Sequence, residues 1–183
     1  MKNMFIERIV LSTLICMMVL LSGCSPDVDS ETKDQNLVDH PLAELVPGFH
    51  LLSYTSGSLA TAAEFVGVGC KKLALSPTLS EDQLEVLLPV AEREAGSNRI
   101  PIFVERSLLV TKLFPSDVAK DKIVILMAHT QAVLDEYFRI KADRVQAEEE
   151  GLLSDIEDEL AWRFGKLLSY TDETIERLIS EQK

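Results

Sequence analysis

Cysteine is scarce in this chain of 183 residues, occurring only at positions 16, 24 and 70, and histidine is as scarce, at positions 40, 50 and 129. So few nitrogen and sulfur donors, with no close spacing, exclude a structural zinc cluster, whose ligands come in tightly spaced pairs. Aromatic residues make up 6%. Trp162 with Phe164 therefore reads as a core or rim contact and not as a sugar-stacking platform. Basic residues are outnumbered, 18 Lys and Arg against 30 Asp and Glu, which leaves a net charge of −12. Neutralising phosphates takes clustered Lys and Arg, so nucleic acid is excluded as a partner. The sequence holds no G-x-S-x-G, which removes the serine nucleophile elbow. Gly67-Val-Gly69-Cys70-Lys71-Lys72 precedes a strand, whereas a phosphate loop follows one and opens a helix. The consecutive acids Glu148, Glu149 and Glu150 point in different directions around a helix and do not converge on one ion. No cofactor and no metal is expected.

What the chain does have begins at its first residues. Lys2 and Arg8 precede an apolar run from Ile9 to Leu21, which is shorter than the ~20 residues of a spanning helix. The run ends in the small residues Ser22 and Gly23, followed by Cys24. A positive start, a short apolar core and small residues before a cut are the parts of an export signal. The stretch Leu21-Ser22-Gly23-Cys24 resembles a bacterial lipoprotein lipobox. That resemblance implies cleavage before Cys24, a diacylglycerol thioether on its sulfur, and lipid anchoring in the cell envelope. Two or three acyl chains, at about 0.8 kcal/mol per buried methylene, hold stably where one does not. By resemblance to the sorting pattern of enteric-type bacteria, Ser25 in place of Asp implies the outer membrane, facing the periplasm. Cleavage removes Lys2, Arg8 and Glu7, so the mature charge becomes −13, from 16 basic and 29 acidic residues. Cys70 then has no partner within its chain and reads as a buried thiol at a strand start.

Residues 1–23 are thus expected to be a signal peptide and residues 24–39 a disordered acidic tether. Residues 40–183 should form one α/β domain, opened by a short helix over Pro41-Leu-Ala-Glu-Leu-Val46. Thr55 or Ser58 should cap a helix through Leu59, Ala63 and Phe65. Lys72–Ser76 reads as a short buried strand. Ser80 and Gln83 form a capping box before a stripe of Leu84, Leu87, Leu88, Ala91 and Ala95, with a kink or break at Pro89 and an end at Gly96. Ile100–Val104 is a second strand and the continuously apolar Ile123–Ala128 a third. Thr130 should cap a long helix that Gly151 ends. Ser154 with Glu157 suggests another capping box, and Thr171 opens a last amphipathic helix. Strands separated by crossovers argue for a small parallel sheet of about three strands with flanking helices and a three-helix C-terminal end. Leu51-Leu-Ser-Tyr-Thr55 recurs as Leu167-Leu-Ser-Tyr-Thr171, each copy standing before a helix.

In a parallel sheet, ligands bind beyond the carboxyl ends of the strands. That rule selects Ser76 after the first strand, Glu105 and Arg106 after the second, and His129 and Thr130 after the third. If these crowd one edge, His129 beside Glu105 is a base, Ser76 a catalytic hydroxyl, and Arg106 and Thr130 ligand-binding groups. This small hydrolase or transferase is the alternative reading. The preferred one is a non-enzymatic, membrane-anchored periplasmic lipoprotein. It would act as a binding, adaptor or immunity-type protein for another envelope protein, with the lipid on Cys24 as its membrane contact.

Overall fold

The structure is a computed structural model that describes residues 50–181. The export signal, Cys24, the tether and the short helix expected at Pro41–Val46 all lie outside the described residues.

The first helix, α1, spans Leu51–Gly67, and His50 caps it by accepting from Ser53 N at 3.4 Å. It starts earlier than Thr55 or Ser58 would allow. Thr55 is buried inside it, and the Ser58 hydroxyl donates to Tyr54 O. Gly69 then turns the chain at a φ of 80° into β1, Leu73–Leu75. Next is α2, Glu81–Asn98, where Ser80 and Gln83 close the expected capping box. The helix runs through Pro89 without breaking. Pro89 and Glu85 are both exposed, so the carbonyl that the missing N–H leaves free faces water. It also passes Gly96, ending instead on Arg99 in the left-handed region at a φ of 57°.

Strand β2 is Ile102–Glu105, α3 a single turn at Ser116–Ala119, and β3 Val124–Ala128. The long helix α4, Gln131–Glu150, ends on Gly151 at a φ of 72°. Thr130 stands at its N-cap without using its hydroxyl. Only Gly151 and Leu152 separate α4 from α5, Leu153–Leu167. Ser154 therefore falls inside the helix, where its hydroxyl meets Asp155 at 3.4 Å and the expected box does not form. The last helix, α6, is Asp172–Glu181, with Thr171 Oγ1 accepting from Thr174 N as the sequence indicates. The repeated phrase takes two conformations. Leu51–Thr55 lies within α1, whereas the second copy forms the α5–α6 turn, with Ser169 at a φ of 64°.

The sheet order is β1-β3-β2, and β3 is antiparallel to both neighbours. The expectation of a parallel sheet is corrected here. Strands β1 and β2, joined by α2, do run the same way, as a β-α-β crossover requires. They are not adjacent, and β3 inserts between them in the opposite sense. The connection from β2 to β3 holds only the one-turn α3, so no helix carries the chain back to the starting edge.

Strands β1 and β3 alternate between two cores. Leu73, Val124, Leu126 and Ala128 pack under α4 and α5 with Leu134, Tyr137, Ile140, Leu160 and Phe164. Ala74, Ile125 and Met127 pack under α1 and α2 with Leu59, Ala63, Val66, Leu87 and Ala91. All five residues of β3 are buried, because a central strand covered on both faces has no solvent side.

Candidate functional site

The antiparallel sheet separates the residues expected at one edge. Glu105 pairs with Val124 at the start of β3, and Ser76 N donates to Ile125 O at 3.0 Å. His129 follows the other end of β3. At about 3.4 Å per residue, it stands roughly 13–17 Å along the sheet from the other two. The structure therefore brings Ser76 and Glu105 to one end of the sheet and places His129 at the opposite end. Among the described residues the three do not share a strand end.

Ser76, His129 and Arg106 each have local partners. The Ser76 hydroxyl donates to Pro77 O at 2.7 Å and accepts from Ile125 N at 2.9 Å, filling a ladder position at the end of β1. The His129 ring meets Val66 O through Nδ1 at 2.8 Å and tucks the loop after α1 against the end of β3. Arg106 pairs with Glu81 at the surface, both side chains at least 60% exposed. Thr130 is exposed.

Glu105 is the one with an uncommon environment. It is 5% exposed. Its carboxylate accepts from Ser107 N at 3.0 Å, from the Tyr137 hydroxyl at 3.0 Å and from Lys141 Nζ at 2.8 Å. Tyr137 in turn accepts from Leu109 N at 3.2 Å, and Lys141 also reaches Ser107 O at 2.7 Å. Burial, with the Glu105 charge beside it, drives the Tyr137 hydroxyl far above the ordinary tyrosine range. The network pins the 106–110 loop to α4. Every polar atom in it is satisfied from within the fold, which marks it as a structural lock.

The open surface lies elsewhere. A cleft of about 570 Å³ runs between α1 and β1, lined by Ser53, Tyr54, Ser58, Thr61, Phe65 and Lys71. A second cleft of about 340 Å³ flanks β1 on its other face, between Leu75, Pro77, Phe114, Val118 and Tyr170. Strand β1 is a sheet edge. The bonds of Lys72 and Ser76 to β3 fix the antiparallel alternation, so the backbone groups of Leu73 and Leu75 point away from β3; Leu73 is fully buried and Leu75 half-buried, so only the Leu75 end of the edge is open. The two clefts beside this edge are concave surfaces of mixed polar and apolar lining, which side chains of a partner can enter. Sequence reasoning missed this surface. The signal was present: from Leu51 to Gly69 only Glu64 is charged, in a chain that is 26% charged.

Cys70 is exposed and free, not buried as expected. Among the described residues, no three His, Cys, Asp or Glu side chains are grouped to hold a metal ion, and no helix is long and apolar enough to cross a membrane. Compared with protein-family models, curated proteins and solved structures, the chain matches none.

Proposed function

We propose that this chain is a lipid-anchored envelope protein that binds another protein and performs no chemistry of its own. The lipid sits on Cys24, the tether leads to the folded residues, and the α1–β1 cleft receives the partner. The observation that carries the binding role is the edge strand β1 with its two flanking clefts. Beside it, the hydroxyl of Ser76 and the carboxylate of Glu105 are engaged in holding the fold together. The lipobox-like Leu21-Ser22-Gly23-Cys24 supports the anchor, and the outer membrane facing the periplasm is the location it implies. The acidic surplus suits an adaptor or immunity-type role toward a basic partner.

Site-specific photo-crosslinking in intact envelopes tests this. A photoreactive residue at Thr61, inside the cleft, should give one discrete adduct. The same residue at exposed Glu148, on α4, should not. A T61W substitution, which fills the cleft, should abolish an adduct formed from Ser53. Equal and diffuse adducts from Thr61 and Glu148 would remove the cleft as a binding site.

A further inference from the structure

The acidic surplus is not spread evenly over the described residues. At the end of the sheet where β1 and β2 begin and β3 finishes, three cations gather with exposed apolar side chains. Gly67 abuts Asn98, so closely that a Cβ on Gly67 would lie 2.9 Å from that of Asn98. This contact joins the C-terminal ends of α1 and α2 and sets Arg99 near the turn at Val68. A Cβ on Gly69 would lie 3.7 Å from Cε1 of His129, so the end of β3 closes the same surface. Val68 is 67% exposed and Phe65 47%.

Lys71, Lys72 and Arg99 are exposed and have no ion pair among the described residues. Glu64 lies in the last turns of α1, and Asp135, in the first turns of α4, is engaged by Gln131 at 3.0 Å; the α5–α6 turn also reaches this end, with Ser169 Oγ accepting from Lys72 N at 2.9 Å, and its Asp172 is paired with Lys166. Elsewhere among the described residues Lys120 and Lys122 are likewise exposed without an ion pair, and the remaining cations are neutralised. Arg106 meets Glu81, Lys112 meets Asp158, and Arg163 bridges Glu136 and Asp143.

We propose that this end of the fold rests on the bilayer surface. Val68 and Phe65 enter the headgroup boundary, and Lys71, Lys72 and Arg99 meet lipid phosphates. Apolar side chains beside unpaired cations are what an anionic interface attracts. A nucleic acid would need a longer basic track than three residues. The proposal rests on the anchor at Cys24 and deepens it, since it adds a second contact between the chain and the bilayer. The chain from Cys24 to His50 spans at most about 90 Å when extended. That exceeds the roughly 25 Å length of α1, so the far end of α1 can reach the membrane. Phe65 and Lys71 also line the α1–β1 cleft, so a partner bound there would sit close to the bilayer.

The test uses the lipidated protein in vesicles, where Cys70 is the only thiol left once Cys16 is cleaved off and Cys24 acylated. Its reaction rate with a bulky, uncharged polyethylene-glycol maleimide is compared in vesicles of phosphatidylcholine alone and of phosphatidylethanolamine with phosphatidylglycerol. The rate should be slower with the anionic lipid. K71E/K72E should restore it, by about fivefold per lysine removed. Equal rates in the two vesicles would overturn the proposal. Protection that persists in detergent would assign the patch to a second copy of the chain and overturn it as well. The acyl mass is read on the same sample. A missing lipid removes that mass and sinks the anchor with the proposal, whereas a missing surface contact leaves the mass and abolishes only the dependence on lipid composition.

Discussion

Removing the partner of the buried Glu105 carboxylate should cost more than removing the carboxylate itself. In K141M, Glu105 stays 5% exposed and loses its 2.8 Å ammonium. Breaking a buried pair from one side costs about 3–5 kcal/mol, because the remaining charge is uncompensated. In E105Q the volume is kept and the charge is gone. Lys141, with 34% of its side chain exposed, still has water and Ser107 O as partners. That change should cost about 1–2 kcal/mol, the loss of charge-assisted bonds. Y137F leaves the Leu109 N–H without its acceptor at a residue 1% exposed, for about 1–3 kcal/mol. The double variant E105Q/Y137F should depart from additivity by more than about 0.5 kcal/mol, since the two side chains share a hydrogen bond. R106A is the internal control, because its exposed pair with Glu81 should be worth no more than about 1 kcal/mol. Urea denaturation followed by far-UV circular dichroism reads these values. With a slope of roughly 2 kcal/mol/M, K141M should lower the midpoint by about 2 M at unchanged slope. Midpoints for K141M and E105Q that both match R106A would show that the network does not hold the fold.

The packing of α5 against α6 makes a second prediction. A Cβ on Gly165 would lie 2.7 Å from Cγ1 of the fully buried Ile175 and 3.1 Å from Leu113 Cδ1. G165A should therefore destabilise by about 1–3 kcal/mol, despite the helix propensity it gains. Gly57 in α1 has open space around it, so G57A should stabilise by about 0.5–1 kcal/mol; thermal melts of the two variants should move in opposite directions. Tyr137 gives a third. Its folded pKa is raised above the unfolded value of about 10. The stability it contributes is fully present below that pH and declines as the pH climbs further, because only the unfolded chain releases the proton. Ultraviolet titration should show Tyr137 ionising only as the chain unfolds. Ionisation of Tyr137 in the ordinary tyrosine range, in a chain still folded, would contradict its burial.

The parts of the fold that depend on local chemistry were legible in the sequence. Ser80 and Gln83 announce α2, Gly151 ends α4, and the uninterrupted apolar run of β3 marks a strand covered on both faces. The direction of β3 was not legible. A fully apolar strand looks the same whether its neighbours run parallel or antiparallel, and only the missing helix between β2 and β3 pointed to the return. That single reversal decided the fate of the expected strand-end site, because it carried His129 to the far end of the sheet from Glu105. Glu105 itself was legible as a residue of note, although its partners on α4 were not. Tyr137 and Lys141 lie one helical turn apart, and the sequence shows that they share a helix face without showing what the face covers. Pro89 misled because the cost of a proline in a helix is smallest where the freed carbonyl faces water, which is a property of the fold.

The most direct test of the account is the intact mass of the protein purified from the envelope of its own cells. A lipobox ending at Cys24 predicts a chain that begins at that residue and carries a diacylglycerol thioether, with C24A lost from the membrane fraction. A chain that starts at any other residue, or one that starts at Cys24 with an unmodified thiol, would contradict it.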